Sequence, residues 1–434
     1  MEKKISGWGN NNFTNSKIYF PKNLSEIKNL IKAKTIARGL GRSYGDSSIQ
    51  PKSTIITTKL NKVINFNSTK GFLEAEAGIS IEEILNLIVE KGWFLPVTPG
   101  SKQITLGGMV ASDVHGKNHH NSGSFKNHII NLKVVNKEKK LINCTAKSNK
   151  RLFNYTIGGM GLSGIIYSCK FKLKKISSNI IIQEKIKNNN LRQTINSIKK
   201  SQNWDYNVAW IDTSAKKEQL GRSILTRGKF SNTILKKNRF NKTINKKILI
   251  PKIFPNWFLN SFCIKILNNL YYNFTSLKKI NTNIDSFFYP LDRISNWNVA
   301  YGNRGFISYQ CLIPHKNSYN IINKILTKIK KNKIYSFVSV LKSMGKKDGN
   351  LSFGNHGFTL VFDFPLYKNI NIILDVIDGI VLKSGGRIYL TKDSRINKQQ
   401  FKKINKEFND ENYQKFRIKN KLIFSSLQSE RLGI

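Results

Sequence analysis

Three glycine-rich loops, separated by apolar runs, constrain this chain more than any other feature of its sequence. The longest is residues 98–128, TPGSKQITLGGMVASDVHGKNHHNSGSFKNH, which holds four of the six histidines and a single carboxylate. Shorter loops lie at 37–46 (ARGLGRSYGD) and 158–164 (GGMGLSG). Glycine lets the backbone approach a ligand closely, and successive N–H groups in such turns bind anions. Together the loops predict a large phosphate-bearing cofactor that is held mainly by backbone.

Other interpretations of these loops are weaker. A single glycine-rich loop is usually only a turn, and neither a Walker A loop nor a complete G-x-G-x-x-G fingerprint is present. His115, His119 and His120 have an H-x3-H-H spacing, but they do not sit on a helix or knuckle of the kind that carries zinc ligands. We therefore predict no metal site.

Composition limits the class of protein. A length of 434 residues suits two domains. The net charge of +48 would suit nucleic acid, but Lys and Asn are spread along the whole chain and no nucleic-acid-binding motif is present. We expect no nucleic-acid partner and favour an anionic lipid or a phosphorylated substrate.

The cysteines and the apolar runs indicate the cellular location of the protein. The four cysteines are far apart, which is typical of reduced thiols in a cytoplasmic protein. The sequence has neither a secretory signal nor an apolar run of about 18 residues. The expected location is cytoplasmic or peripheral to a membrane. Residues 234–262 are basic with interleaved aromatics, which suits either a membrane interface or a surface loop.

Alternating strand-like and helix-like runs over 179–386 predict an antiparallel sheet with helices on one face. Earlier in the chain, Ser80 followed by two glutamates predicts a capped helix. The fold class is therefore α+β.

The motifs carry a family resemblance. ARGLGRSYGD, the 98–128 loop, GGMGLSG and GGRIYLTKDSR (385–395) resemble the FAD-binding oxidases of the vanillyl-alcohol oxidase superfamily. AWID (209–212), FYPLDRISNWN (288–298) and GFTLVFDFP (357–365) also fit. Within the superfamily the chain most resembles the decaprenylphosphoryl-β-D-ribose 2-oxidase family. The resemblance implies a PCMH-type FAD-binding domain at 1–178, a substrate-binding domain at 179–386, and a C-terminal segment at 387–434 that completes the FAD domain.

The resemblance also implies which residues hold FAD. They belong to the three glycine-rich loops and their borders: Arg38, Gly39, Leu40, Gly41, Arg42, Ser43, Tyr44, Gly45, Pro99, Gly100, Ile104, Thr105, Gly107, Gly108, Ala111, Ser112, Asp113, His115, Gly116, Asn118, His119, Gly161, Gly164 and Ile165. Relatives with covalent flavin carry a histidine where this chain has Tyr44. Tyrosine cannot form that 8α-histidyl bond, so we expect noncovalent FAD.

The expected reaction is two-electron oxidation of a secondary sugar hydroxyl, in which a base takes the hydroxyl proton and hydride passes to flavin N5. By resemblance, Lys392, Tyr44 and His115 are catalytic. The expected substrate-binding residues are Lys117, Gln310, Lys342, Thr359, Val361 and Lys392. The implied substrate is a polyprenyl-phosphoryl pentose oxidised at its 2-OH for cell-envelope arabinan synthesis. A separate short-chain dehydrogenase would then complete an epimerisation.

The sequence departs from that family on two strands. Val361 stands where the mycobacterial enzyme has a cysteine facing the flavin, so covalent nitroaromatic inhibitors that capture the cysteine should fail here. Thr359 and Ser308 each replace a polar amide, which leaves the identity of the sugar open. Two other classes remain open: a soluble alditol or aldonolactone oxidase with covalent flavin, and a non-enzymatic basic protein that binds nucleic acid.

Overall fold

Two sheets form the N-terminal part of the chain in the computed structural model, which describes residues 1–232, 248–250, 255 and 258–434. The first sheet has four strands, of which the first two in spatial order pair antiparallel and the other two pairings are parallel. The second has five strands that are all antiparallel. In spatial order the strands are Glu2–Ser6, Phe13–Tyr19, Ser53–Ile56 and Thr35–Arg38, then Val63–Asn67, Phe72–Glu76, Ile165–Lys172, Ile129–Val135 and Leu141–Cys144.

Helices pack against these two sheets. The helix predicted after Ser80 is confirmed as Ile81–Ile88, and Ser80 and Glu83 form a reciprocal capping box at its start. Its apolar side is buried with Leu106–Ala111 against the five-stranded sheet. The helices of this part of the chain are Leu24–Leu30, Ile81–Ile88, Leu106–Ala111, His119–Ser122 and Lys150–Thr156.

The predicted antiparallel sheet is present with eight strands among the described residues. Helices Leu191–Lys200, Ser318–Lys331 and Ile370–Lys383 bury their apolar residues against one face of it. In spatial order the strands are Ile280–Asn283, Ile180–Asn188, Ser223–Phe230, Tyr206–Ile211, Ser339–Met344, Gly357–Pro365, Phe306–Pro314 and Arg387–Ile388. Two small ribbons complete the strands: Trp93–Phe94 pairs with Lys174–Lys175, and Ile248–Leu249 pairs with Ile294–Ser295. Helix Ser261–Phe274 precedes strand Ile280–Asn283 in the sequence, and helix Ile284–Phe288 follows it.

Strand alternation separates the two faces of the large sheet. In Gly357–Pro365, the side chains of Phe358, Leu360, Phe362 and Phe364 enter the core beneath the helices. Successive side chains of a strand point to opposite faces, so the intervening residues lie on the other face. That second face is turned toward the glycine-rich loops of the N-terminal part.

The C-terminal segment contacts both parts of the molecule. Helices Lys398–Ile404, Glu411–Asn420 and Leu427–Leu432 bury Phe401, Tyr413 and other apolar residues in the core of the eight-stranded sheet. Between the second and third of these helices the chain reaches the first sheet, where Phe424 bridges to Thr35. The C-terminal segment thus contacts the first sheet and, through helix Lys398–Ile404, also helix Ile370–Lys383.

Among the residues that the structure describes, none of the helices combines the length and apolarity that a bilayer crossing requires. The basic, aromatic stretch predicted at 234–262 lies largely outside the described residues.

Candidate active site

A cavity of about 660 Å³ lies between the glycine-rich loops and the open face of the eight-stranded sheet. Its volume is in the usual range of cofactor and ligand sites. Most residues expected at the site line it: Gly39, Leu40, Gly41, Arg42, Ser43, Tyr44, Pro99, Gly100, Ile104, Thr105, Gly107, Gly108, Ala111, Ser112, His115, Gly161, Gly164, Gln310, Lys342, Val361 and Lys392.

Nine expected residues are not on the cavity wall. Most of them instead hold the loops in place through their own polar groups. Asn118 Nδ2 donates to the Pro96 carbonyl at 2.8 Å, and Asp113 accepts from the Lys126 backbone at 3.0 Å. The nine are Arg38, Gly45, Asp113, Gly116, Lys117, Asn118, His119, Ile165 and Thr359.

Lys117 and His119 were expected at the cavity, but both side chains contact other parts of the chain. Lys117 Nζ donates to the carbonyls of Phe287 and Phe288 at 2.7 and 3.1 Å, so its charge is used to join two parts of the chain. His119 Nδ1 accepts from the Gly345 backbone at 2.9 Å, and its Nε2 lies 3.4 Å from Asp348. Burial lowers the pKa of His119 to about 4. Both side chains are scaffolding contacts in this structure.

Two glycines allow the loops to pack closely. A Cβ on Gly39 would lie 2.1 Å from Thr105 Oγ1, and Gly107 packs directly on Ala77. Glycine thus allows the 37–46 loop to pack on Thr105 and the longer loop to pack on Ala77.

Arg42 links the same two loops. Its Nε donates to the Gln103 carbonyl at 3.0 Å, and its guanidinium stacks on Trp8 at 3.7 Å from the ring centre. Burial lowers its pKa, while Asp292 opposes that effect. Asp292 accepts hydrogen bonds from Ser101 Oγ and the Lys102 backbone at 2.8 and 2.7 Å. The positive charge thus lies on the cavity wall beside a balancing carboxylate.

The cavity has polar groups that suit a nucleotide cofactor. The hydroxyls of Ser47 and Ser48 are buried, and they have no hydrogen-bond partner within the described parts of the chain, although both residues line the cavity. Unpaired buried hydroxyls are costly unless a ligand satisfies them. Together with the backbone-lined loops and the charge of Arg42, these groups fit the ribose and phosphates of FAD.

The open face of the large sheet supplies the other wall. Strand alternation brings Gln310, Lys342, Val361 and Asp363 to the cavity from three neighbouring strands. Thr359, on the same strand as Val361, donates to the Cys311 carbonyl at 3.0 Å and accepts from Gln310 Nε2 at 3.0 Å. Thr359 therefore orients Gln310 from outside the cavity.

His115 faces these strands from the long loop. Gln310 Nε2 lies 2.8 Å from His115 Nε2, and the ring packs between Phe353 and Tyr389. Because the Gln310 amide donates, the geometry places the imidazole proton on Nδ1. Burial, together with the nearby charge of Lys342, holds the pKa of His115 well below its usual value. His115 is thus neutral and cannot supply a cation.

Lys392 also lines the cavity. Its Nζ donates to Ser308 Oγ at 3.1 Å, stands 3.9 Å from Asp363, and sits 4.3 Å from the centre of the Tyr44 ring. Ser308 also donates to Asp363. Burial lowers the pKa of Lys392, and Asp363 raises it in return. The arrangement holds an ammonium group beside Tyr44 with one buried carboxylate as its counter-ion.

Asp363, Asp292 and Trp8 are among the cavity residues that were not assigned by sequence. Asp363 lies in the recognised GFTLVFDFP strand, where a single carboxylate among apolar residues is a usable signal for a buried functional group. Asp292 lies in another recognised stretch, but nothing local marks it as a loop partner. Trp8 has no sequence signal, because only its long-range contact with Arg42 brings it to the cavity.

Comparison with known proteins agrees with this geometry. The family model described as an FAD binding domain matches residues 16–145. Decaprenylphosphoryl-beta-D-ribose oxidase of Mycolicibacterium smegmatis is 31% identical over 421 residues, covering 92% of this chain and 90% of that protein. D-arabinono-1,4-lactone oxidase of Kluyveromyces lactis is 24% identical over 36% of this chain and 32% of its own length. D-2-hydroxyglutarate dehydrogenase of Rattus norvegicus is 29% identical over 29% of this chain and 25% of its own length.

The similarity to the first relative extends across both walls of the cavity, from the glycine-rich loops to the strands that carry Gln310 and Asp363. The FAD cofactor and the enzymatic class predicted from sequence are thereby confirmed. The chain belongs to the decaprenylphosphoryl-β-D-ribose oxidase family of FAD-dependent oxidoreductases that act on hydroxyl groups.

Proposed function

We propose that the protein oxidises the 2-OH of a polyprenyl-phosphoryl pentose to a ketone. This would be the first half of an epimerisation in cell-envelope polysaccharide synthesis, with a short-chain dehydrogenase as the partner that reduces the ketone. The observation that carries the proposal is Lys392, held by Ser308 and Asp363 on a cavity that Gln310 and His115 also line. Similarity over 92% of the chain to an oxidase of such a substrate supports it.

Bound FAD supplies the two-electron acceptor for this oxidation. In our proposal Lys392 binds the reacting hydroxyl oxygen and stabilises its negative charge as the proton leaves. One oxygen of Asp363 accepts from Ser308, and the other has no partner among the described residues. In our proposal Asp363 receives the hydroxyl proton through Ser308, which donates to it. Gln310 and neutral His115 offer polar atoms for the remaining hydroxyls of the sugar.

The charge of the cavity wall suits a phosphorylated substrate. Lys342 lines the cavity between Lys392 and the buried Lys117, and its neighbours include His115 and His119. Burial and the charge of Lys392 lower the pKa of Lys342 to about 8. Lys342 is therefore a cation below that pH and neutral above it.

We expect the KM for the phosphorylated substrate to rise as the pH passes through about 8, because Lys342 then loses its attraction for the anion. The measurement is KM and kcat across this pH range for wild type, Lys342→Met and the exposed control Lys346→Met. The rise should persist in the control and disappear in Lys342→Met. A rise that survives in Lys342→Met would assign the ionisation to another group.

The flavin chemistry gives the direct test of the function. Tyr44 occupies the loop position of the covalent histidine in relatives, and His115 is the one histidine on the wall among the described residues. We expect acid precipitation to release FAD to the supernatant, which should then show absorbance maxima at about 375 and 450 nm. In a separate sample of the native protein, a polyprenyl-phosphoryl ribose should reduce the bound flavin.

Two results would contradict the proposal. Yellow colour that stays in the acid pellet would indicate covalent flavin and favour an alditol or aldonolactone oxidase. Reduction by a free alditol or aldonolactone, with no response to the lipid-linked sugar, would have the same meaning.

We also propose that the chain divides into an FAD-binding domain at 1–178, a substrate-binding domain at 179–386 and a C-terminal segment at 387–434. The eight-stranded sheet supports the first boundary, because its first strand in sequence begins at Ile180, whereas its last strand, Arg387–Ile388, lies within the third segment.

A further inference from the structure

Helix Ser261–Phe274 exposes large apolar side chains and buries a polar one, which is unusual for a surface helix. Its buried side carries Asn268, whose Nδ2 donates to Asp212 at 3.0 Å, together with Ile264 and Tyr272. Its outward side carries large apolar residues. A contiguous apolar patch of this kind on a protein surface commonly marks a docking site.

The outward residues follow one side of the helix. Phe262, Ile266, Leu270 and Phe274 are spaced four apart, and their exposed fractions are 70%, 44%, 46% and 81%. Residues four apart lie above one another on a helix, so these side chains form a continuous stripe. Leu277, just beyond the helix, is 46% exposed and extends the same surface. We call these five residues the apolar stripe.

Charge identifies the kind of partner. Lys265, Lys278 and Lys279 are exposed beside the stripe. The sequence has no Asp or Glu between Glu218 and Asp285, although Lys and Arg recur throughout. The cores of protein–protein interfaces are depleted in lysine, whereas apolar side chains flanked by lysine suit an anionic bilayer.

The stripe lies close to the cavity. Tyr271, on the same helix, has its ring centre 6.2 Å from that of Phe337, and the next residue, Val338, lines the cavity. Leu249 also lines the cavity and is 77% exposed. An apolar surface therefore connects the helix to one side of the candidate active site.

We propose that the apolar stripe docks the protein on an anionic lipid bilayer. The proposal deepens the proposed function, on which it rests for its purpose, because a polyprenyl chain remains in the bilayer while its phosphosugar enters the cavity. Phe262 and Phe274 insert among the lipids, and the surrounding lysines contact the headgroups.

The test compares two uncharged double variants of the flavin-loaded protein. Phe262→Gln/Phe274→Gln removes the two ends of the stripe. Ile372→Gln/Ile418→Gln removes two apolar residues that are each 64% exposed on other helices. Net charge is the same in all three proteins, so general attraction of a basic chain to lipid cannot separate them. Binding is measured by co-sedimentation with vesicles of phosphatidylcholine and phosphatidylglycerol, and with phosphatidylcholine alone.

We expect the stripe variant to bind the anionic vesicles at least about tenfold more weakly, and the control variant to bind like wild type. Equal binding by all three proteins, or equal loss in both variants, would overturn the proposal. Concentration-dependent dimers that the stripe variant abolishes, without vesicle binding by wild type, would assign the stripe to a second copy of the chain instead.

A second readout separates this inference from the proposed function. The stripe variant should oxidise detergent-dispersed substrate at the wild-type rate and lose activity only with substrate in vesicles. Vesicle binding through the stripe, without oxidation of any lipid-linked sugar, would leave the docking surface standing and remove the proposed reaction.

Discussion

Lys392→Met should lower kcat by roughly a thousandfold while leaving FAD bound, the largest effect that we expect from one substitution. Lys392 Nζ is held by Ser308 at 3.1 Å beside Asp363, with the Tyr44 ring beneath it. Methionine keeps much of the volume of the side chain but has no charge and no N–H donor. The substrate oxygen would then lose the group that stabilises its charge as the proton leaves.

The measurement is single-turnover reduction of the bound flavin, which reports the chemical step alone. Lys383→Met is the matched control, because Lys383 is exposed at the end of helix Ile370–Lys383. The control should keep wild-type kinetics. If Lys392→Met reduces the flavin within tenfold of wild type, Lys392 does not carry the reaction, and Asp363 or His115 becomes the stronger candidate.

Arg431→Met should destabilise the protein by about 3–5 kcal/mol, because it leaves two buried carboxylates without their cation. Arg431 binds Asp46 through Nε and Nη2 at 3.0 and 2.7 Å, and its Nη1 lies 3.0 Å from Asp393. Burial alone would lower the pKa of Arg431, but Asp393 and Asp46 raise it overall. The guanidinium therefore remains charged and joins two acidic side chains from distant parts of the chain.

The position of this contact gives it a consequence for the site. Asp46 ends the loop that carries Tyr44, and Asp393 follows Lys392 directly. The same two loops are also joined where the Tyr44 backbone donates to the Thr391 carbonyl at 2.9 Å. Loss of Arg431 should therefore loosen both walls around the flavin and lower FAD retention together with stability.

Thermal unfolding and FAD content, measured on wild type, Arg431→Met and Arg431→Lys, test this expectation. Lysine keeps the charge but not the two-pronged contact, so Arg431→Lys should fall between the other two. Arg151→Met, at an exposed position, is the control for removal of an arginine. A loss below about 1 kcal/mol in Arg431→Met would mean that the carboxylates are satisfied in another way.

The strand residues that the family resemblance implied, Gln310, Lys342 and Val361, share one face of the sheet because strands have a strict period. In Gly357–Pro365 the apolar residues face the helices, which leaves Val361 and Asp363 for the opposite face. The same alternation brings Gln310 and Lys342 to that face from neighbouring strands. A period of two fixes the direction of each side chain once one face is known to be buried.

Loops have no such period, so a local pattern does not determine which way each loop side chain points. His115 and His119 lie four apart in one histidine-rich loop, yet His115 reaches the cavity and His119 turns to Gly345 and Asp348. Lys117, between them, is held by the carbonyls of Phe287 and Phe288. Contacts with residues more than a hundred positions away decide these directions, and a local pattern does not contain them.

The sequence by itself indicated a phosphate-bearing cofactor and an antiparallel sheet, because each depends on local residue chemistry or on a short period, and the family resemblance of its motifs implied FAD and Lys392. Only the tertiary structure decided which loop side chains face the cavity. It also brought Trp8 to Arg42, Asp292 to the loop at Ser101, and Arg431 to the two loops of the site. These contacts join distant segments, so they exist only after the sheets and loops have packed together.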